Sequence, residues 1–356
     1  ALIMGGASAP QVATQLDAAQ LAGVGNGSGR LLIAAGGTGA TTQTFASTTL
    51  GTGASDIVIT SSGTRTALLT LGAITRGRGA TLFVGNPANT LSATNGIRTT
   101  SGSAGALLSD SSGTAYAVMA TNSSATVTDF AAQTSIGGWL AAPTYTASAA
   151  ATANYGQTLT AGASTSGSTT LSVASAANLV VGAVVSGAGI PVGASILSTN
   201  TTANTITISA PATATASGLT FAVAQNVNFT QTNTAAWTTQ TINSLRMNAS
   251  TAANLLIGAG QTITISTGGI LFGSGAAAAS LSTTVGQGTI VPGAGRELVI
   301  FANNNLLTIN AVLGQSAAGA TDVTFRGLVS VGLAKNDVLL NANSTYSGDT
   351  YISGVR

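Results

Sequence analysis

Charge is almost absent from this chain, and that restricts what it can build. Ten Lys and Arg and eight Asp and Glu are spread over 356 residues, with no histidine and no cysteine. Glu297 is the single glutamate and Lys335 the single lysine. A soluble domain is usually about a quarter charged, so this surface has to be made from hydroxyls, amides and backbone. Low charge also marks disorder, but disordered chains are poor in β-branched residues and this one is rich in them. A net charge of +2 makes no field worth the name, so steering toward nucleic acid or an anionic membrane is not expected. Charge is also what keeps strand edges apart. Self-association is the natural expectation.

Helix signals are scarce. Residues 9–23, APQVATQLDAAQLAG, place Val12, Leu16 and Ala19 on one helical face and stop at Gly23, which predicts one short helix. Elsewhere the pattern is short alternating strands separated by Gly, Asn and Ser. DIVIT puts Ile57 and Ile59 on one side, and QTITIS does the same with Ile263 and Ile265. NLLTINAVL aligns Leu307, Ile309, Ala311 and Leu313, and DVTFRG aligns Val323 and Phe325.

Spacing separates a solenoid from a sandwich. Inward anchors at Ile265, Ile290, Ile309 and Val329 recur at the length of one solenoid coil. Hairpin dipeptides such as Asn26-Gly27 and Asn95-Gly96 are not placed at every strand junction. The Asn run at 303–305 suits a coil corner, where asparagine tolerates left-handed backbone. A parallel β-helix is therefore expected, with a jelly roll or sandwich as the competing architecture.

The middle breaks the pattern. Residues 145–170 are low in complexity, and 170–223 carry compact strands with a Gly-Ile-Pro turn at 189–191. This reads as a small all-β module inserted between coils. The expected division is an N-terminal segment 1–30 with an apolar strand and the short helix, a first β-helix part 31–155, the module 156–224 and a second β-helix part 225–356. The apolar window 174–193 tempts a membrane assignment, but Asn178, Ser186, Pro191 and its glycines argue against a stable lipid-exposed helix. Ala7 and Ala9 sit like the end of a signal peptide. Pro10 disfavours a cut there, so 1–9 are expected to begin the mature chain.

The C-terminal stretch LLNANSTYSGDTYISG, 339–354, resembles the autotransporter-associated β-strand repeat at Leu340, Asn343, Tyr346, Gly348, Thr350, Ile352 and Gly354. Ala342 departs from that pattern, where glycine is usual. Residues 241–275 and 288–313 resemble the run preceding such repeats in large secreted bacterial proteins, and 69–87 and 135–148 resemble their upstream parts. The resemblance implies an all-β, right-handed parallel β-helix passenger, exported by a bacterium to the cell surface or released outside it. It implies little about the chemistry performed.

The residue inventory points away from catalysis. Histidine and cysteine chemistry is excluded, as are most transition-metal sites. Glycoside hydrolysis needs two carboxyls about 5–10 Å apart, and no two acids lie within ten residues of each other in sequence. Stacked coils could still gather Asp322, Asp337 and Asp349. Glycine runs at 23–29 and 34–42 are followed by no lysine and arise by chance in so glycine-rich a chain. Arg76 and Arg78 in TRGRG read as a structural turn, and Trp139 and Trp237 as covers for the end of a core or the base of the module. No catalytic, cofactor-binding or metal-binding residue is assigned, and no cofactor.

The expected role is therefore an extracellular structural protein, not an enzyme, that polymerises end to end with copies of itself. Leu2, Ile3 and Met4 are the candidate donor strand. Tyr346, Tyr351 and Ile352 are the candidate acceptor edge, where a coil would present unpaired backbone. An adhesin binding surface glycans or other cells is the alternative, and a polysaccharide-active β-helix enzyme the third. No nucleic acid and no stable membrane span are expected.

Overall fold

The computed structural model describes residues 2–4, 11–12, 28–34, 41–60, 66–86, 91–102, 104–120, 129–134, 138–147, 155–248, 252–273, 279–282, 284–303, 306–328 and 337–355. Every regular element among them is a strand. The helix expected over 9–23 falls largely outside the described residues, and the part within them, Gln11–Val12, is a strand paired with Leu31 and Leu32.

The strands form a parallel β-solenoid, and they form it twice. In the first stack, the ladders Thr41–Thr44, Ala67–Thr70 and Gly96–Arg98, then Leu2–Met4, Ser47–Leu50 and Ala73–Arg76, make two faces. The third face runs through Gln11–Val12, Ser28–Ala34, Gly53–Thr60, Ala80–Gly85 and Ala117–Ala120. It ends where Asp129–Phe130 pairs antiparallel to Ala117–Ala120, which reverses the chain.

The second stack has three parallel faces as well. One begins with Thr146–Ala147 and passes through Asn226–Phe229, Ser244–Met247, Gly269–Phe272, Leu298–Asn303 and Val323–Leu328 to Thr350–Ser353. Along it Leu245 lies opposite Ile270, then Ile300, Phe325 and Ile352. The other faces run from Gln240–Ile242 to Val312–Leu313 and from Ala253–Leu255 to Val338–Leu340.

This register corrects the expected repeat. Ile263 stacks on Ile290, and Ile290 on Leu313. Ile309 belongs to a different face, between Leu281 and Leu340. The spacing of about one coil had mixed two faces, because the sequence marks inward residues without marking the face they line. Val329 lies outside the described residues.

The second stack folds back beside the first, and their long faces meet. Alternate side chains of the same strands enter two different cores. Leu31, Ile57, Leu82 and Met119 line the first solenoid, and Leu245, Ile270, Ile300 and Phe325 the second. Between the solenoids lie Val58, Phe83, Val118 and Phe130 against Leu271, Val299, Phe301 and Leu328. Both faces of these strands are buried, so Ala80–Gly85, Leu298–Asn303 and Val323–Leu328 bury every residue. The stacks run in opposite directions, since late Asp129 meets early Arg246 and early Asp56 meets late Arg326.

The inserted module is a six-stranded antiparallel sheet with its own core around Phe221, Leu171 and Ile206. Val185 N–H donates to Ala194 O at 2.8 Å and Ile196 N–H to Ala183 O at 2.9 Å, closing the sheet into a small barrel and removing its edges. Its two ends, Gly156 and Ala224, pair with each other, so the barrel leaves and rejoins the second stack at one point.

Phe301 is fully buried in the seam and meets Phe130 edge to face at 6.2 Å between centroids. Phe301→Ala is expected to cost about 3–5 kcal/mol, read as a lowered urea midpoint by far-ultraviolet circular dichroism.

Candidate functional site

The few charges are concentrated in the seam. Arg76 donates to Asp110 and to Glu297, each at 2.7 Å, from a side chain 2% exposed. Arg246 pairs with Asp129 and Arg326 with Asp56, both at 2.7 Å. Arg78 reaches Asp322. Four of the five pairs join one stack to the other. Strand parity puts them there: Asp56 shares the outward side of its strand with Val58, and Arg326 shares its side with Leu328.

Asp110 and Glu297 are well supplied with donors. Asp110 accepts from Ser112 N–H and Oγ–H and from Thr114 N–H as well as from Arg76. Burial pushes its pKa up, but the Ser112 and Arg76 hydrogen bonds outweigh that and hold it below the ordinary aspartate value. Glu297 takes the Thr324 hydroxyl besides Arg76. Asp56 is the opposite case, where burial outweighs Arg326 and raises its pKa. Stacking does unite two of the acids considered for catalysis, because Asp349 N–H donates to Asp322 Oδ1 at 2.9 Å. Asp337 sits on another face, where its carbonyl accepts from Leu307. Among the described residues no group of three or more acids could hold a metal.

A groove opens where the barrel meets the seam. Two adjoining clefts, of about 380 and 540 Å³, share Val184, Val192, Gly193 and Arg296. Their lining mixes apolar side chains and glycines with hydroxyls and amides, including Ser109, Thr239 and Asn243. Asn243 is fully buried, and its Oδ1 has no hydrogen-bond partner among the described residues. Arg296 Nε donates to Ser112 O at 3.0 Å and Nη1 to Ser266 O, and no carboxylate among the described residues pairs with it. Burial pushes its pKa down. The lip of the groove is the apolar turn at 190–192, with Val192 89% exposed.

The assembly candidates lie elsewhere. Leu2–Met4 is paired in parallel with Thr48, Thr49 and Leu50 of its own chain, at the end of that ladder. Thr350–Ser353 ends its ladder too, paired with Val323–Arg326. Tyr351 packs over Gly79, where φ is +70° and a Cβ would come within 2.4 Å of the ring. Tyr346 Oη shares a hydrogen bond with Thr350 Oγ1 at 2.9 Å, and Ile352 is 67% exposed. Trp237 is fully buried against Tyr155 and Phe229, closing the second core beneath the barrel. Trp139 lies under Arg98. The groove was not foreseen, since residues from about 100 to 300 meet there with no local motif. Compared with protein families, with curated proteins and with solved structures, the chain matches none.

Arg76→Met leaves two carboxylates buried without their cation and is expected to cost about 3–5 kcal/mol. Arg78→Ala, at a side chain 69% exposed, is expected to cost under about 1 kcal/mol. Urea midpoints measure both. Asp110, with its folded pKa below the unfolded one, stabilises above about pH 4 and loses that contribution as pH falls through the folded value. The midpoints of the wild type and Asp110→Asn are therefore expected to differ at pH 7 and converge below about pH 4.

Proposed function

We propose that this chain is an extracellular structural protein, a β-solenoid subunit that joins copies of itself end to end. The observation that carries the reading is the last coil of the second stack. Val338–Leu340 and Thr350–Ser353 stand at the ends of their ladders, and Leu339, Leu340 and Ile352 are 47%, 42% and 67% exposed. Among the described residues no further strand pairs with either, and such an edge beside exposed apolar side chains is a template for another strand. The carboxylates support a cohesive role as well, because Asp56, Asp129, Glu297 and Asp322 each accept from an arginine of the facing stack.

Export to a bacterial surface rests on the resemblance of 339–354 to the autotransporter-associated repeat, and a solenoid surface poor in charge agrees with it. The groove beside Arg296 favours a second reading, an adhesin that holds a hydroxyl-rich ligand. Saturable binding by the monomer would mark that second role.

Electron microscopy at neutral pH, with the mass in solution, tests the first reading. Regular assemblies are expected, and Ile352→Lys is expected to reduce them at least tenfold by placing a charge on the edge. Dispersed single chains at every concentration would overturn it.

A further inference from the structure

The groove between the barrel and the seam holds a cation that the fold does not use up. Arg296 lines both of its clefts. A guanidinium carries five N–H donors, and the fold takes two of them. Nε donates to Ser112 O of the first stack and Nη1 to Ser266 O of the second, while Nη2 has no hydrogen-bond partner among the described residues. Two glycines give the side chain its seat. A Cβ on Gly113, whose φ is +87°, would come within 2.7 Å of Nη2, and one on Gly293 within 3.2 Å of Nη1. The group is held from both stacks with part of its donor capacity open, which is how a recognition group is preorganised.

Its surroundings are uncommitted too. Burial opposes the charge on Arg296 more than the nearby Asp110 supports it. Asp110 is already spent, since Oδ1 accepts from Ser112 and Thr114 and Oδ2 from Arg76. Ser109 and Ser111 line one cleft, and Ser186, Thr241 and Ser266 line the other. None of these hydroxyls makes a hydrogen bond among the described residues. Ile190 and Val192 add an apolar edge.

We infer that the groove binds an acidic saccharide, a glycan whose rings carry a carboxylate. The carboxylate takes Arg296, whose planar fork suits it. Ring hydroxyls exchange hydrogen bonds with the serines and the threonine on either side, and the C–H face of a ring lies against Ile190 and Val192. The inference rests on the adhesin reading and gives it a ligand class. A phosphate dianion is a poorer match, because it calls for a nest of N–H groups or a second cation, and Arg296 is the one cation among the described residues that line the clefts. Clefts of about 380 and 540 Å³ fall within the ordinary range for small ligands. Because they adjoin at Arg296, there is room for neighbouring rings on both sides of the acidic one.

The test titrates the full chain calorimetrically with oligogalacturonate and its methyl ester, and with sialyllactose and lactose. Each pair compares a carboxylate with a neutral counterpart, and the acidic probe that binds distinguishes a uronate from a sialic acid. Saturable binding of at least one acidic probe is expected, weakened about tenfold or more in its neutral counterpart and by Arg296→Gln. Arg296 also ties the stacks together, so Val192→Asp, at a side chain 89% exposed, is the second variant. It sets a negative charge on the lip and is expected to weaken the acidic probe about threefold or more at low salt, with an unchanged circular dichroism spectrum. Equal affinity for charged and neutral forms would overturn the inference and leave the adhesin reading standing. Acid-selective binding that neither variant alters would do the same, the site then lying elsewhere. No saturable binding of any of the four would overturn the inference together with the hydroxyl-rich ligand of the adhesin reading.

Discussion

The structure depends on strands that are buried on both sides. A β-strand sends successive side chains to opposite faces, and a single solenoid needs only one of those faces for its core. In Ala80–Gly85, Leu298–Asn303 and Val323–Leu328 both faces are dry. The second face makes the seam, and once it is apolar neither stack can be left beside water. This explains why a chain with 18 charged residues puts so many of them indoors. A seam of Val, Leu and Phe alone would fix contact but not register, whereas Arg326 with Asp56 and Arg246 with Asp129 are satisfied in one alignment only. Buried pairs are weak evidence for stability and better evidence for such positioning.

Much of the coil interior was legible in the sequence. Ile57 with Ile59, Ile263 with Ile265, and Leu307 with Ile309 all reach the cores that their alternation implied. The competing sandwich gave way to parallel ladders on every long face. What could not be read was the fold-back. A strand buried on both faces reads as an apolar run, and an apolar run does not say what covers its second side. The partners that decide it are remote: Arg326 and Asp56 are 270 positions apart, and Arg78 and Asp322 are 244 apart. Arg76 and Arg78 had the aspect of a local turn, and the turn is there. Its purpose, aiming one guanidinium into the other stack, is not encoded nearby.

The same limit applies to the sites. Tyr351 was legible as an edge residue, and it does stand on the last strand, yet its ring is committed to Gly79 of the first stack. The candidate acids lay in three separate stretches, and only the register of the coils says that Asp322 and Asp349 touch while Asp337 does not. The groove had no sequence signal at all. It exists because the barrel hangs from adjacent residues, Gly156 and Ala224, over a seam formed by chain from elsewhere.

The position of the barrel bears on how the molecule meets its neighbours. An insertion costs a solenoid little when its ends are already paired, so thermodynamics alone would tolerate it at many corners. It sits beside the first coils of the second stack, where Trp237 and Tyr155 close that core, at the end remote from Thr350–Ser353. Solenoid ends are a hazard because they expose edges, and here one end is closed by an aromatic plug and a barrel without edges of its own.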